Sequence, residues 1–188
     1  MFAGLDPLKL SSESQNAHVF HFKMATAGQM LKKTIHCKPI QALSNSNTVS
    51  LVFLLTGSYN VDIICENDHE AFYQACREIT ELVVYIKEIF RHAIVHLVNI
   101  LPRECKRRMD VIKRLNDFIF SISNRTASGT TVYFDTYYNR MFTYREGQRK
   151  AELFMKNGNS DSDNMHLNIK GIRKLGAQLK FKVHNCNT

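Results

Sequence analysis

Two groups of cationic side chains and one aromatic run carry the most explicit chemistry in the chain. Arg103, Lys106, Arg107, Arg108, Lys113 and Arg114 lie close together, opposed only by Glu104 and Asp110. Lys170, Arg173, Lys174, Lys180 and Lys182 form a second group, with no acidic residue anywhere after Asp163. Exposed guanidinium groups can grip phosphates bidentately, and ammonium groups add point charges beside them. Between the groups runs Tyr137-Tyr-Asn-Arg140-Met-Phe-Thr-Tyr144-Arg145. Single-stranded RNA is held by stacking bases on aromatic rings while cations hold the backbone, so the mixture, with Arg140 and Arg145, suits it. The formal charge of +8 and the sequence pI near 9.3 extend the same attraction to any polyanion. RNA, DNA and anionic lipid surfaces all remain open on charge alone. The plain alternative is a solvated basic face, with Phe142 and Tyr138 packing in the interior.

Other reactive side chains point nowhere specific. Cys37, Cys65, Cys76, Cys105 and Cys186 are odd in number and contain no CxxC pair. That argues against a disulfide framework or a structural zinc site and makes a reducing cytoplasm the expected setting. His18 and His21 lack a carboxylate partner at metal-ligand spacing, and Cys65 and Cys76 have no base beside them. No metal or cofactor is expected. No apolar run reaches the ~18 residues of a membrane span, and MFAGLDPLKL has neither the basic flank nor the apolar stretch of a signal peptide.

The elements that must position these groups alternate. His18–Phe22, Thr48–Gly57, Ala93–Pro102 and Thr131–Thr136 read as strands, the second and third as near-continuous apolar runs of the doubly buried kind. Phe72, Cys76, Ile79, Leu82, Val83, Ile86, Ile89 and Phe90 make a helical stripe from Asp68 to Arg91. A second stripe uses Val111, Ile112, Leu115, Phe118, Ile119 and Ile122; a third uses Ile169, Ile172, Leu175 and Leu179. Gly28 to His36 predicts a short helix, and Ser44–Asn47 and Asn157–Asn164 predict polar turns. Strands alternating with helices imply parallel pairing through right-handed crossovers. The expectation is one domain over residues 1–188, a three-layer α/β/α sandwich with a central parallel sheet. Its ligands should collect beyond the carboxyl ends of the strands.

Asp163-Asn-Met-His166-Leu-Asn-Ile-Lys-Gly-Ile-Arg-Lys-Leu resembles the C-terminal block of SGNH/GDSL hydrolases, in which DxxHLNxxGxxxL opens the last helix. Leu54-Leu-Thr-Gly57-Ser-Tyr-Asn60-Val is similar to the family's GGTND strand-end block, with Val61 where an aspartate usually follows. Met24-Ala-Thr-Ala-Gly28 resembles the second block, and Leu101-Pro-Arg103 with Leu115-Asn116 fits the usual order. The likeness covers roughly residues 18–180. It implies an SGNH fold of flavodoxin-like strand order, with Asn60 and Gly28 as oxyanion-hole donors and Asp163 orienting His166. The first block departs from the pattern: the nearest match to G-D-S is Gly4-Leu5-Asp6, which puts Asp6 at the serine position. Either the nucleophile is lost or its block precedes Met1. An aspartate there forms no serine ester and repels an oxyanion, so a pseudo-enzyme with vestigial Asp163, His166, Asn60 and Gly28 is the expected reading. In the plain alternative Asp163 caps the last helix and His166 is packed and satisfied.

Degenerate SGNH domains of this kind include the OSK domain of insect Oskar proteins and esterase-like domains of retroelements. The Oskar-like resemblance implies a non-catalytic domain binding RNA, mRNA included, within germ-plasm ribonucleoprotein particles that also hold protein partners. The rivals are an active esterase of acyl or acetyl esters with its serine elsewhere, and a scaffold whose basic groups meet an acidic protein.

Overall fold

The computed structural model describes residues 6–11, 16–65, 68–124, 131–134, 141–144, 149–154 and 166–185. The chain divides into two compact units, a larger one of Phe22–Leu101 and Cys105–Tyr137 and a smaller one of Met1–His21, Pro102–Glu104 and Tyr138–Thr188.

The larger unit is built on a parallel sheet in the order β1 (Leu51–Leu55), β2 (Ile94–Val98), β3 (Thr131–Phe134). Leu51 pairs with Ile94 and Leu55 with Val98, while Val95 pairs with Thr131 and Val98 with Phe134. Two more helices precede the sheet, α2 (Ala27–Ile35) and α3 (Lys38–Ser46), following α1 (Pro7–Leu10) of the smaller unit. β1 reaches β2 through α4 (Asn60–Ile63) and α5 (His69–Ile89), and β2 reaches β3 through α6 (Lys106–Asn124). Right-handed crossovers advancing in one direction put α5 and α6 on the same face of the sheet, and the two helices touch. Their apolar stripes meet the strands there: Ile79, Leu82, Val83 and Ile86 from α5, and Val111, Ile112, Leu115 and Ile119 from α6, pack with Leu54, Val95 and Leu97. His96 and Val98, on the opposite side of β2, are buried as well, with His96 stacked on Phe53 at 5.1 Å. That double burial is why the strand reads as an unbroken apolar run.

Local signals fix the helix ends. The Asp68 carboxylate accepts the Ala71 N–H at 2.8 Å and starts α5. Thr26 and Gln29 form a reciprocal capping box at α2. The architecture is mixed α/β with a parallel sheet, as the alternation of patterns predicts.

Three expectations are corrected. Residues 18–22 form no strand: His18, Phe20 and His21 are exposed, and the segment pairs with no neighbour among the described residues. Ser44–Ser46 is the last turn of α3, and only Asn47, left-handed at φ 52°, is the stop. The third stripe holds at Ile172, Leu175 and Leu179 but loses its first member, Ile169.

That stripe lies in the smaller unit, on α7 (Ile169–Asn185). Ile169 is 67% exposed, while Gly171, Leu175 and Leu179 are buried. The physical cause is a clasp before the helix. Asn168 caps α7 by accepting the Gly171 N–H at 3.0 Å, and its Nδ2 donates to the carbonyls of Glu152 and Phe154. A Cβ at Gly171 would lie 2.2 Å from the Leu153 carbonyl oxygen, so only glycine fits against the 3-10 turn of Ala151–Leu153. Phe142 and Phe154 pack edge to face at 6.1 Å within this unit.

No helix among the described residues is long and apolar enough to cross a membrane.

Candidate functional site

The tightest polar constellation sits in the larger unit, where the start of α2, the start of α4 and the middle of α5 converge. Gly57, at φ 85°, makes the sharp exit from β1 that leads into Asn60. Asn60 is buried, and its Oδ1 accepts the Ala27 N–H at 2.9 Å. Its Nδ2 donates to Glu78 Oε2 at 2.9 Å, and the Gly28 N–H donates to the same oxygen at 3.1 Å. Gln74 Nε2 reaches the other carboxylate oxygen at 3.4 Å. A Cβ at Gly28 would stand 2.8 Å from the Glu78 carboxyl carbon, so the glycine is what lets the carboxylate approach.

The electrostatics follow from this geometry. Partial burial of Glu78 disfavours its charge, but hydrogen bonds from Asn60, Gly28, Gln74 and Thr26 outweigh that and hold the carboxyl below its ordinary value of 4.5. Asn60 and Gly28, the two residues that the likeness to the hydrolase blocks singles out, are thus brought together at one acceptor. They converge on a carboxylate supplied by the chain itself. Glu78 was not among the sequence candidates. It falls on the polar side of the α5 stripe, and nothing in its spacing separates it from Glu70, Glu81 or Glu88.

The remaining candidates are distributed. Val61 is buried in the core, which accounts for an apolar residue in place of the expected aspartate. Asp6 is a capping carboxylate that accepts the Leu8 N–H at 3.0 Å and starts α1. His166 is exposed, and Asn168 occupies the cap of α7; the plain reading of a packed histidine with Asp163 as cap is therefore corrected. Asp163 itself lies outside the described residues. Asn116, near the block at Leu101–Arg103, receives the Ile100 N–H at 2.8 Å and returns a bond to the Ile100 carbonyl at 3.1 Å, tying α6 to the end of β2.

Among the cationic candidates, Lys106, Arg107, Lys113 and Arg114 are exposed along α6. Asp110 and Asp117 interleave with Lys106 and Lys113 at four-residue spacing and offset part of their charge. Arg108 is engaged in an ion pair with Asp62. Arg103 is only 2% exposed, so the expectation of a guanidinium on an open rim is corrected. On α7, Lys170 and Arg173 are exposed, and Lys174 and Lys180 are half-buried. Arg140, Arg145 and the Lys182 side chain lie outside the described part. Phe142 is fully buried, whereas Tyr144 is exposed with the Lys150 ammonium 5.5 Å from its ring centre. Cys76 is a packing group: burial pushes its thiol up to about 11, against a smaller downward pull from Arg114. No cluster of metal-ligating side chains occurs among the described residues.

No protein-family model matches this chain, and no curated protein sequence matches it. Among solved structures it is similar to a protein from Streptococcus pneumonia described as a candidate platelet activating factor, at TM-score 0.65 and 16% identity, covering 90% of this chain and 73% of that one. At that identity the likeness is one of fold, extending over nearly all of the chain.

Proposed function

We propose that the chain is a non-catalytic SGNH-hydrolase-like domain, a three-layer α/β/α sandwich of flavodoxin-like order, that binds RNA through exposed basic side chains. The observation that carries the non-catalytic part is the Glu78 carboxylate. Its Oε2 fills the point where Asn60 Nδ2 and the Gly28 N–H converge. An ester carbonyl developing negative charge needs those donors empty and aimed at it. A resident carboxylate both blocks the point and repels the charge. Asp6 as a helix cap supports the same reading, since it supplies no nucleophile.

The RNA-binding part is supported by the net charge of +8 and by the exposed Lys106, Arg107, Lys113, Arg114, Lys170 and Arg173. Phosphate contacts of this type release counterions, so binding should weaken with salt at a slope of about −0.7 per single-strand phosphate. The test is UV crosslinking to RNA with peptide mapping across a salt series. Salt-sensitive adducts on α6 or α7 peptides are expected. Absence of any adduct at low salt, or esterase turnover of p-nitrophenyl acetate that vanishes in His166→Ala, would overturn the proposal.

A further inference from the structure

Where α5 meets α6 an aromatic pair stands among arginines. Tyr73 is 66% exposed on the first turns of α5, far more than a ring of its size needs to be. Phe72 lies edge-on to it at 6.1 Å, and the Arg114 guanidinium sits 4.1 Å over the Phe72 ring. Arg77 follows Tyr73 by one helical turn, on the same face of α5, and is exposed. Neither Arg77 nor Arg114 makes an ion pair among the described residues, although Glu70 lies one turn before Tyr73. Phe72 faces the core and anchors the site; Tyr73 presents an open ring, with Arg77 one turn further along α5 and Arg114 held over the neighbouring Phe72 ring.

We infer that this junction is a base-stacking subsite for single-stranded RNA, in which Tyr73 stacks on a base and Arg77 and Arg114 hold the adjoining phosphates. The inference rests on the RNA-binding reading above and adds a site that the basic clusters alone do not contain. An acidic peptide would use the cations and leave the ring idle. A nucleotide uses both, because every base has a π-face and every linkage a charge. Arg114 is already oriented by its contact with Phe72, which reduces the ordering cost of gripping a phosphate.

Binding of a short fluorescein-labelled oligouridine, measured by anisotropy over a salt series, tests it. Tyr73→Ala should weaken binding about tenfold with the salt slope unchanged, because stacking carries no counterion term. Tyr73→Phe keeps the ring and should bind as the parent does. Arg77→Gln and Arg114→Gln should each flatten the slope by about 0.7. Parent-level binding by Tyr73→Ala, alongside loss of binding on charge reversal of Lys106 and Lys113, would sink the subsite and leave the RNA reading standing. No binding by the parent chain would overturn both. Polyglutamate bound with the same dependence on Tyr73 would assign the surface to an acidic protein and refute the subsite.

Discussion

Glu78→Ala removes the acceptor of its two short hydrogen bonds, from the Gly28 N–H and Asn60 Nδ2, along with weaker ones such as that from Gln74 Nε2 at 3.4 Å. A hydrogen bond to a charged group contributes about 1.5–3 kcal/mol when sheltered, and less where water can substitute. Glu78 is only half-buried, so about 1 kcal/mol for each of the two bonds is the appropriate scale. The expected loss is therefore about 2 kcal/mol, or roughly 4–8 °C in Tm for a chain of this length. The pH dependence provides a second signature. Because the folded carboxyl ionises below its ordinary value of 4.5, its contribution is fully present at neutral pH. That contribution fades as the pH falls through the unfolded-state value and down through the folded one. Glu78→Gln has no such titration and should lose less stability than the parent as the pH falls below the ordinary carboxyl value of 4.5. Urea unfolding followed by far-ultraviolet circular dichroism at several pH values reads both effects. A Glu78→Ala midpoint equal to the parent's, with identical acid sensitivity in Glu78→Gln, would refute the claim that this carboxylate organises the donors.

Other substitutions probe the frame around that cluster. Asn116→Ala leaves the N–H and carbonyl of Ile100 unmatched in a buried setting and should cost about 2–4 kcal/mol, measurable in the same unfolding assay. Gly171→Ala drives a Cβ into a backbone carbonyl that cannot swing aside, so α7 must shift; a thermal melt should show a loss of at least ~2 kcal/mol, and a neutral result would contradict the clasp. Arg108→Ala breaks a partly exposed ion pair with Asp62 and should cost no more than about 1 kcal/mol. The Cys76 thiol, raised to about 11, should react with iodoacetamide at pH 8 far more slowly than the exposed Cys65 and Cys105, as peptide mass spectrometry would reveal.

Most of the fold could be read from periodicity because the sheet face that meets α5 and α6 demands it. Leu54, Val95 and Leu97 require apolar partners at helical spacing, and Ile79, Leu82, Leu115 and Ile119 supply them. The failures have physical causes as well. His18–Phe22 has β-branched and aromatic residues but no neighbouring strand among the described residues to complete its hydrogen bonds, and composition carries no information about pairing. α3 escaped notice because its polar Ser44-Asn-Ser46 end looks like a turn, although Pro39 at its start and the left-handed Asn47 at its stop are ordinary helix punctuation. In the last block, the asparagine and glycine that carry much of the family likeness prove to be a structural clasp, which needs no chemistry at His166. Asn60 and Gly28 were identifiable from local motifs, each a few residues after a recognisable signal. Glu78 lies 18 residues beyond Asn60 and 50 beyond Gly28, and only the packing of α5 against α2 brings it to them.

Treatment with a fluorophosphonate probe, followed by intact-mass and peptide analysis, interrogates the pseudo-enzyme reading at its root. If Glu78 closes the pair of donors as proposed, the chain should keep its unmodified mass. A stoichiometric adduct on any serine, abolished by His166→Ala, would mean a working nucleophile and an accessible oxyanion hole, and Glu78 could then not be the group that closes it.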